Sequence, residues 1–387
     1  MKIAIPKERR AHERRVAATP ETVKKYIALG YTVAVETGAG EGSRIPDAAY
    51  EEVGASLAPD AATLLADADI VLKVQRPILA GEDGPDELAL IPKGALVLAL
   101  MAPYDAPDSL KAYAQAGITA VALELVPRIT RAQSMDVLSS QSNLAGYRAV
   151  LEACNVYNRA FPMMMTAAGT IAPARVMVLG AGVAGLQAIA TAKRLGAVVS
   201  ATDVRPVAKE QVESLGGKFV MVESEETAEA ETAGGYAKAM SEDYQRRQAA
   251  LVAETLKKQD IVICTALIPG RKAPTLVNDA MVHSMRPGSV IVDMAAEQGG
   301  NCTLTTPGEI TQVGGVTIIG LFNLPSRLAT DASGLYGKNL FNYLAPLYDE
   351  ATKQLAIDWA DEIVTASVLT RDGRIVHSAF AAQDGGQ

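Results

Sequence analysis

The segment Arg175-Val-Met-Val-Leu179 runs directly into Gly180-Ala-Gly-Val-Ala-Gly185, and this junction is the most informative part of the sequence. The apolar residues before the glycines predict a strand, and the pattern from 183 to 195 predicts a helix. Gly180 would allow the tight turn, Gly182 would let the backbone approach a pyrophosphate, and Gly185 would let the helix pack closely on the strand. The first amide groups of that helix would face the phosphates. The junction therefore predicts a Rossmann-type dinucleotide site, although a glycine turn alone can be purely structural.

An aspartate in a suitable place supports the dinucleotide interpretation. Asp203 follows the strand predicted at 198–202 and stands 18 residues after Gly185. A carboxylate there can accept hydrogen bonds from both ribose hydroxyls and repels a 2′-phosphate. The position favours NAD over NADP, whereas Arg205, two residues later, leaves NADP open.

Two series of alternating strands and helices surround this site. In the first, strands and helices are predicted at 2–5, 20–29, 32–35, 61–66, 70–74, 95–101, 109–115 and 119–123. In the second, they are predicted at 176–179, 183–195, 198–202, 206–215, 218–222, 242–257, 261–265, 278–285, 289–294 and 316–320. Apolar strands separated by helices are typical of parallel sheets that are covered on both faces. Since 387 residues exceed one ordinary core, two α/β domains are predicted.

Three further elements are predicted outside these series. A long helix from Gln141 to Tyr157 would bridge them, and a helix near 334–347 would lie in the tail. Thr19 is a plausible N-cap for the first helix, and Gly30 would end it. Asp372-Gly373, flanked by alternating residues, predicts a hairpin turn.

Composition excludes several classes of function. The net charge of −8 argues against a nucleic-acid partner, because nothing basic enough to replace phosphate counterions is apparent. Cys154, Cys264 and Cys302 are odd in number and far apart, so neither a disulfide framework nor a metal site is predicted, and a reducing cytoplasm fits. No apolar run approaches the roughly 20 residues that a spanning helix needs. The chain is therefore predicted not to enter a membrane by itself.

A polar cluster precedes the bridging helix and has two interpretations. Arginines, a glutamine, an aspartate, serines and an asparagine crowd into the 16 residues from 128 to 143. They could form a polar loop that caps the helix, with Ser139 or Ser140 as the N-cap. Fixed donors and acceptors of mixed type are also what orients a carboxamide.

Acid–base candidates are sparse. The histidines are His12, His283 and His377, and each is best explained as a surface residue. Dehydrogenases that oxidise alcohols or amines need a group that accepts a proton, whereas direct hydride exchange between two nicotinamides needs none.

The acidic segment 223–235, with Tyr236 after it, could be a disordered loop or a lid over bound cofactor.

Several stretches together form a recognisable pattern. They are Pro127-Arg-Ile-Thr-Arg-Ala-Gln-Ser-Met-Asp136, Leu138-Ser-Ser-Gln-Ser-Asn-Leu-Ala-Gly-Tyr-Arg148, Thr166-Ala-Ala-Gly169, Gly180–Gly185, Glu231-Thr-Ala-Gly-Gly-Tyr-Ala-Lys238 and Thr265-Ala-Leu-Ile-Pro-Gly270. With them the chain resembles, over essentially its whole length, the NAD(H)-binding, membrane-peripheral α subunit (domain I) of proton-translocating NAD(P) transhydrogenases. The form it resembles is the split one, whose α subunit lacks membrane helices.

The resemblance implies an architecture and a set of site residues. It implies two Rossmann-like, doubly wound domains with a cleft between them, one formed by residues 1–140 with 325–387 and the other by 141–324. The residues expected to hold the nicotinamide are Arg128, Gln133, Asp136 and Ser139. Those expected elsewhere along NAD(H) are Gly180, Ala181, Gly182, Val183, Gly185, Asp203, Val204, Arg205, Thr265, Ala266 and Leu267, with Tyr236 on a mobile loop.

The resemblance also implies partners and a location. NADP(H) would be held by domain III of a partner subunit, and hydride would move directly between the two nicotinamides. Membrane subunits would couple the reaction to proton translocation. The chain would form a homodimer and lie peripherally on the cytoplasmic face of the bacterial inner membrane.

The alanine dehydrogenases are more distant relatives by this pattern and supply the main alternative. They share Pro6-Lys7-Glu8 and the arginine of the substrate pocket, which is Arg15 here. Their substrate-binding lysine and aspartate positions hold Gln75 and Glu297 in this chain, and the histidine position falls near Ala102. Loss of the lysine and the proton acceptor weakens an amino-acid oxidoreductase as the function. A non-catalytic NAD(H)-binding module is the third possibility, because no acid–base residue is evident.

Overall fold

A computed structural model describes residues 1–205, 207–222, 241–268 and 270–381. The chain divides into two compact units. Unit 1 comprises Met1–Gln141 together with Ser326–Gln387, and unit 2 comprises Ser142–Pro325.

The secondary structure alternates between strands and helices in both units. The β-strands are β1 (Lys2–Ile5), β2 (Thr32–Glu36), β3 (Ser56–Ala58), β4 (Ile70–Gln75), β5 (Leu96–Leu100), β6 (Thr119–Ala122), β7 (Met164–Thr166), β8 (Gly169–Ile171), β9 (Arg175–Leu179), β10 (Val198–Thr202), β11 (Lys218–Phe219), β12 (Ile261–Cys264), β13 (Val290–Asp293), β14 (Ile310–Val313), β15 (Val316–Ile319), β16 (Tyr348–Asp349), β17 (Gln354–Leu355), β18 (Val368–Arg371) and β19 (Arg374–Ile375). The α-helices are α1 (Pro20–Leu29), α2 (Asp47–Glu52), α3 (Ala61–Leu65), α4 (Asp108–Ala116), α5 (Val137–Val156), α6 (Val183–Arg194), α7 (Val207–Ser214), α8 (Glu242–Leu256), α9 (Asp279–Ser284), α10 (Ala329–Leu344), α11 (Glu362–Ser367) and α12 (Ser378–Ala381).

Unit 1 is built on a sheet with the strand order β19-β18-β6-β5-β4-β1-β2-β3. The six strands from β6 to β3 are parallel, whereas β18 joins β6 antiparallel and forms a hairpin with β19. Residues at successive positions of β1, β4 and β5 are buried, as expected of a parallel sheet covered on both faces. In α10, the Tyr336 hydroxyl is buried and donates to the Lys73 carbonyl oxygen at 2.9 Å.

Unit 2 is built on a sheet with the strand order β11-β10-β9-β12-β13-β15-β14. All neighbouring pairs are parallel except β14 and β15 at the edge. The chain passes from β9 to β10 on one side and later returns to β12 on the other side, so the order reverses at β9. Such a reversal creates the crevice at which open α/β sheets bind ligands. The predicted α/β class with two mainly parallel sheets is confirmed.

Local signals placed several boundaries correctly. Thr19 is the N-cap of α1, and its backbone N–H donates to the Thr22 hydroxyl at 3.0 Å. Gly30 ends this helix with φ of +106°, in the left-handed region where glycine is favoured. Asp372 and Gly373 both have positive φ and connect β18 to β19, which confirms the predicted hairpin.

Other boundaries differ from prediction. α5 begins at Val137 and not at Gln141, and α10 begins at Ala329 and not near residue 334. β11 is two residues long, where five were predicted. The hairpin β7–β8 and the edge strand β14 were not predicted, because strands of three or four largely exposed residues are too short to show the pattern from which strands are inferred.

Candidate functional site

The glycine turn of unit 2 lies between β9 and α6. Gly180 has φ of +101°, and Gly182 is the N-cap of α6. A Cβ atom on Gly185 would lie 1.9 Å from the Gly180 carbonyl oxygen, so this position requires glycine for close packing. A Cβ atom on Gly182 would meet nothing nearer than an Arg205 nitrogen at 4.0 Å, so the backbone is open at this point. An open backbone beside a helix N-terminus fits a pyrophosphate.

Asp203 is connected directly to this turn. It follows β10, its side chain is 8% exposed, and its Oδ2 accepts a hydrogen bond from the Ala181 N–H at 2.7 Å. Arg205 donates from its backbone N–H and its Nε to Asp203 Oδ1, and from Nη2 to Oδ2, each at 2.9 Å. These four bonds match the four acceptor sites of a carboxylate. The predicted ribose acceptor is therefore already engaged by Arg205, which the sequence did not reveal.

A second loop adjoins the turn after β12. Thr265 Oγ1 donates to the Gly180 carbonyl oxygen at 2.9 Å, and its backbone N–H donates to Leu179 at the same distance. The backbone N–H and carbonyl groups of Ala266 form hydrogen bonds with the buried side chain of Asn301. Asn301 was not among the residues predicted from the sequence. Leu267 is exposed beyond them. The structure thus brings Gly180, Asp203 and Thr265 together at the carboxyl edge of one sheet.

The nicotinamide-binding residues predicted in unit 1 lie at the start of α5 and in the 3₁₀ helix Thr130–Met135 before it. Asp136 Oδ1 accepts from the Ser139 N–H at 2.8 Å, and Oδ2 accepts from the Ser139 hydroxyl at 2.6 Å. Asp136 therefore caps α5, and the prediction of Ser139 or Ser140 as N-cap was wrong. Helix α5 starts four residues before the predicted Gln141, so both serines lie inside its first turn.

This segment is fastened to α10 through its backbone. Asn339 and Asn342 both donate to the Ser134 carbonyl oxygen, at 2.8 and 3.1 Å. Arg131 forms ion pairs with Asp361 and Glu362, at 2.8 and 3.3 Å. Arg128 and Gln133 have exposed side chains in the same unit.

A buried polar cluster in unit 1 surrounds Arg15. Its guanidinium donates to both carboxylate oxygens of Glu13, at 2.8 and 2.7 Å, and to Gln141 Oε1 at 2.8 Å. Gln75 donates to the same Glu13 carboxylate at 3.0 Å. Burial by itself would raise the pKa of Glu13, but the Arg15 charge and these hydrogen bonds lower it to about 2. An internal carboxylate therefore already occupies Arg15, the residue that the resemblance to alanine dehydrogenases would assign to a substrate.

A second buried carboxyl group lies beyond β6 in the same unit. Glu124 Oε1 accepts from the Ala102 N–H at 2.5 Å, and Ala102 has φ of +48°. No protein hydrogen bond among the described residues reaches Glu124 Oε2. Burial raises the pKa of Glu124 to about 7, despite hydrogen bonds from the backbone. Glu124 was not among the predicted acid–base candidates, and its one sequence signal is its place shortly after the apolar strand β6.

The remaining candidates are distributed outside these clusters. His12 and His283 are exposed as predicted, whereas His377 is half-buried, with Nε2 3.0 Å from the Ala366 carbonyl oxygen and Nδ1 accepting from Ala379 N–H. Glu297 lies in unit 2, in a 3₁₀ turn after β13. Tyr236 and the acidic segment fall outside the described residues.

Membrane-spanning and metal-binding features are both absent from the described stretches of the chain. No helix there has the length and apolarity that a membrane span requires. The same ranges contain no grouping of three or more His, Cys, Asp or Glu side chains that could hold a metal ion.

Comparison with known proteins gives consistent matches over the whole chain. Residues 4–145 match the N-terminal domain model of alanine dehydrogenase/PNT, and residues 149–378 match its C-terminal domain model. The chain is 57% identical to the first of the parts that make up NAD(P) transhydrogenase subunit alpha in Rhodospirillum rubrum, over 99% of this chain and 100% of that protein.

Two solved structures are similar to this chain and carry the same family names as the sequence matches. A transhydrogenase structure from Sinorhizobium meliloti is 53% identical, covers 97% of this chain and 100% of its own, and superposes with a TM-score of 0.87. An L-alanine dehydrogenase structure is 26% identical, with 99% of both chains covered and a TM-score of 0.82.

Proposed function

The chain belongs to the alanine dehydrogenase/PNT family, and from that membership we propose that it is the NAD(H)-binding subunit of a proton-translocating NAD(P) transhydrogenase. Membership in the family supports binding of a nicotinamide nucleotide and an oxidoreductase role. The finer assignment rests on residues of each unit. The observation that carries it is Asp203, whose carboxylate is tied to the glycine turn by the 2.7 Å bond from Ala181 N–H.

Unit 2 is proposed to hold the pyrophosphate and the adenosine ribose of NAD(H). Gly182 leaves the backbone open to phosphate, and Asp203 lies where a ribose would follow. The whole proposed set in this unit comprises Gly180, Ala181, Gly182, Val183, Gly185, Asp203, Val204, Arg205, Tyr236, Thr265, Ala266 and Leu267. The carboxylate favours NAD(H) over NADP(H), because a 2′-phosphate would approach a negative charge.

Unit 1 is proposed to orient the nicotinamide through Arg128, Gln133, Asp136 and Ser139. The bonds between Asp136 and Ser139 fix both side chains before any ligand arrives. The attachment of Ser134 to α10 holds the backbone that carries Gln133. The dinucleotides supply the hydride chemistry, and the protein's contribution is orientation.

The proposal extends to partners. NADP(H) would be bound by domain III of a partner subunit, and NADH would reduce NADP⁺ directly, giving NAD⁺ and NADPH. Membrane subunits would couple this transfer to proton movement, with the chain peripheral on the cytoplasmic face of the bacterial inner membrane. The name of the Rhodospirillum rubrum relative describes an alpha subunit that is divided into parts, which supports separate partner chains.

Binding and transfer can be measured separately. NADH and NADPH are titrated against the chain, followed by hydride transfer after addition of an isolated transhydrogenase domain III loaded with NADP⁺. We expect NADH to bind more tightly than NADPH and transfer to occur only in the mixture. Tight NADH binding without any transfer would favour a non-catalytic module. Rapid NADH production from NAD⁺ and any amino acid would favour the alanine dehydrogenase alternative, which the occupied Arg15 disfavours.

A conservative variant tests the orienting role of Gln133. Gln133→Asn shortens the side chain by one methylene but retains the amide. NADH affinity is expected to stay within a few fold, while hydride transfer slows, because misorientation affects the transition state more than binding. Equal losses of affinity and rate would contradict the assigned role.

A further inference from the structure

Asn301 is completely buried in unit 2, and both of its side-chain polar atoms are engaged. Its Oδ1 accepts from the Ala266 N–H at 3.1 Å. Its Nδ2 donates to the Ala266 carbonyl oxygen at 2.9 Å and to the Pro274 carbonyl oxygen at 2.8 Å. One side chain therefore satisfies both backbone groups of Ala266, as a neighbouring strand would do.

Asn301 is itself held by a buried carboxylate. Asp293 ends β13, and its Oδ1 accepts from Asn301 N–H at 3.1 Å and from Ala295 N–H at 3.0 Å. Its Oδ2 accepts from Cys302 N–H and from the Thr305 hydroxyl, at 3.0 and 2.7 Å. A Cβ atom on Gly300 would lie 2.8 Å from Oδ2, so the chain wraps closely around this carboxylate. Asn301 is thus anchored to the end of a strand and has little freedom to move.

The bonds continue from Asn301 to the glycine turn. Ala266 follows Thr265, whose Oγ1 donates to the Gly180 carbonyl oxygen at 2.9 Å. The loop of residues 265–267 is therefore fixed at one end by β12 and the turn, and in its middle by Asn301. Loss of the asparagine side chain would free the middle of the loop while its attachment to the turn remains.

The strand order indicates which half of a dinucleotide this loop faces. β10, which carries Asp203 at its end, lies on one side of β9, and β12 lies on the other side. A dinucleotide whose pyrophosphate sits at the turn extends its two nucleosides to opposite sides. If Asp203 takes the adenosine ribose, residues 265–267 lie on the nicotinamide side.

We propose that Asn301 is a positioning residue for the nicotinamide half of the dinucleotide site, which it serves by fixing the loop 265–267. This proposal rests on the proposed NAD(H)-binding function. Asn301 does not touch the ligand in this scheme. It acts through Ala266, so its loss should alter recognition of NADH while leaving recognition of the adenosine half intact.

Two ligands separate the halves of the site. NADH reports on the whole site, whereas 5′-AMP carries only the adenosine, its ribose and one phosphate. Asn301→Asp keeps an acceptor for Ala266 N–H but loses the amide donors, and Asn301→Ala removes all three bonds without adding a charge. We expect each variant to raise the NADH dissociation constant at least tenfold while the 5′-AMP constant stays within twofold, both measured by titration calorimetry.

Gln259 offers a matched control in the same sheet, at the amino-terminal end of its parallel strands, whereas the glycine turn lies at their carboxyl end. It is also buried, lies just before β12, and donates from Nε2 to the Thr255 carbonyl oxygen at 3.3 Å. Gln259→Glu and Gln259→Ala make the same chemical changes away from the turn. We expect both to leave the affinities for NADH and 5′-AMP within twofold of the parent.

The outcomes are distinct. A selective loss of NADH affinity in both Asn301 variants supports the proposal, and retained 5′-AMP binding shows that unit 2 is folded. Unchanged NADH affinity, or equal weakening of both ligands, overturns it in favour of a purely structural asparagine. If the parent binds 5′-AMP but not NADH, or neither ligand, the proposed function fails first and the inference falls with it.

Discussion

Asp203 illustrates how a residue can be predicted while its surroundings are not. Its distance from Gly185 and its place after β10 follow from sequence spacing. The three bonds from Arg205 do not, because a side chain two residues away can point in many directions. In the sequence alone, Arg205 is compatible with binding of NADP. In the structure it forms an ion pair with Asp203, the carboxylate that disfavours NADP. Because all four acceptor sites of this carboxylate are filled, a ribose hydroxyl can bond to Asp203 only where one of these hydrogen bonds gives way.

The pair gives a prediction about nucleotide selectivity. Asp203→Ala should weaken NADH by roughly 1–3 kcal/mol, the cost of leaving buried polar partners unsatisfied. Arg205→Ala should weaken NADPH more than NADH, because the guanidinium beside Asp203 is the cation placed to meet a 2′-phosphate. Fluorescence titrations of both nucleotides against the two variants give the ratio of dissociation constants. An Arg205→Ala protein with an unchanged ratio would contradict this role.

Glu124 gives a prediction about pH. Its pKa in the folded chain is about 7, above the ordinary value of 4.5, so the folded state holds the proton more tightly than the unfolded state. The contribution of Glu124 to the free energy of unfolding is therefore fully present below about pH 4.5 and is lost as the pH rises to about 7. The shift corresponds to about 3 kcal/mol. Glu124→Gln should remove this loss, so its stability relative to the parent should improve by about that amount between pH 5 and pH 8.

The measurement can use a single fluorophore. Trp359 is the one tryptophan of the chain and belongs to the same unit as Glu124. Urea unfolding followed by its fluorescence, at several pH values, gives the stability difference between parent and variant. Glu52→Gln, at an exposed site in α2, is the control and should run parallel to the parent. If the stability of Glu124→Gln also changed with pH in parallel with that of the parent, Glu124 would not titrate in this range.

At the scale of elements, predictability followed the strength of local signals. α1 was placed correctly because Thr19, Pro20 and Gly30 mark its ends chemically. α5 was placed too late because the serines at 139 and 140 are equally good caps by type, and only the structure shows that Asp136 makes the bonds. β7, β8 and β14 were missed because their pairing partners, and not apolar patterns, make them strands.

The cap of α5 separates a structural role of Asp136 from its proposed role at the nicotinamide. Asp136→Ala removes both bonds to Ser139 and should lower the stability of unit 1 by about 1 kcal/mol, the usual cost of losing an N-cap. Asp136→Asn keeps an acceptor for the Ser139 N–H, so it should lower the stability of unit 1 much less. If the carboxylate orients the nicotinamide ring, Asp136→Asn should nevertheless slow hydride transfer. Trp359 fluorescence reports the first effect, and the mixture with domain III reports the second.

A second capped helix serves as the control. Asp60 caps α3 in the same unit, accepting from Thr63 N–H at 2.7 Å. Asp60→Ala should also reduce stability but leave hydride transfer unchanged. Slower transfer in Asp60→Ala would show that general loss of stability, and not the position of Asp136, controls the rate.

At the scale of the whole molecule, the alternating pattern predicted two parallel sheets, since βα units are local. The antiparallel pairing of β18 with β6 is different, because about 250 residues separate these partners. No local signal marks such a contact, and only the resemblance to a family suggested that the C-terminal segment returns to the first sheet. The Asn301 cluster was hidden for the same reason, because Ala266 and Asn301 are 35 residues apart.

The homodimer that the resemblance implies stays a prediction, and the β7–β8 hairpin is its best candidate contact. Every residue of both strands is exposed, and Met165 is 80% exposed. Met163, Met164 and Ile171 add apolar surface to the same hairpin. Contiguous exposed apolar residues of this kind commonly mark protein contacts. If the homodimer forms, we expect a second copy of the chain to cover this surface with the same hairpin.

Met165→Asp places a charge at the most exposed point of this surface and should raise the dimer dissociation constant at least tenfold, because an interface would have to bury that charge. Sedimentation velocity over a range of protein concentrations measures the change. Ile310→Asp, on the exposed edge strand β14 of the same unit, is the matched control and should sediment as the parent does. A parent that is monomeric at all concentrations would contradict the homodimer that the resemblance implies. A dimer that survives Met165→Asp but not Ile310→Asp would move the contact from the hairpin to the edge of the sheet.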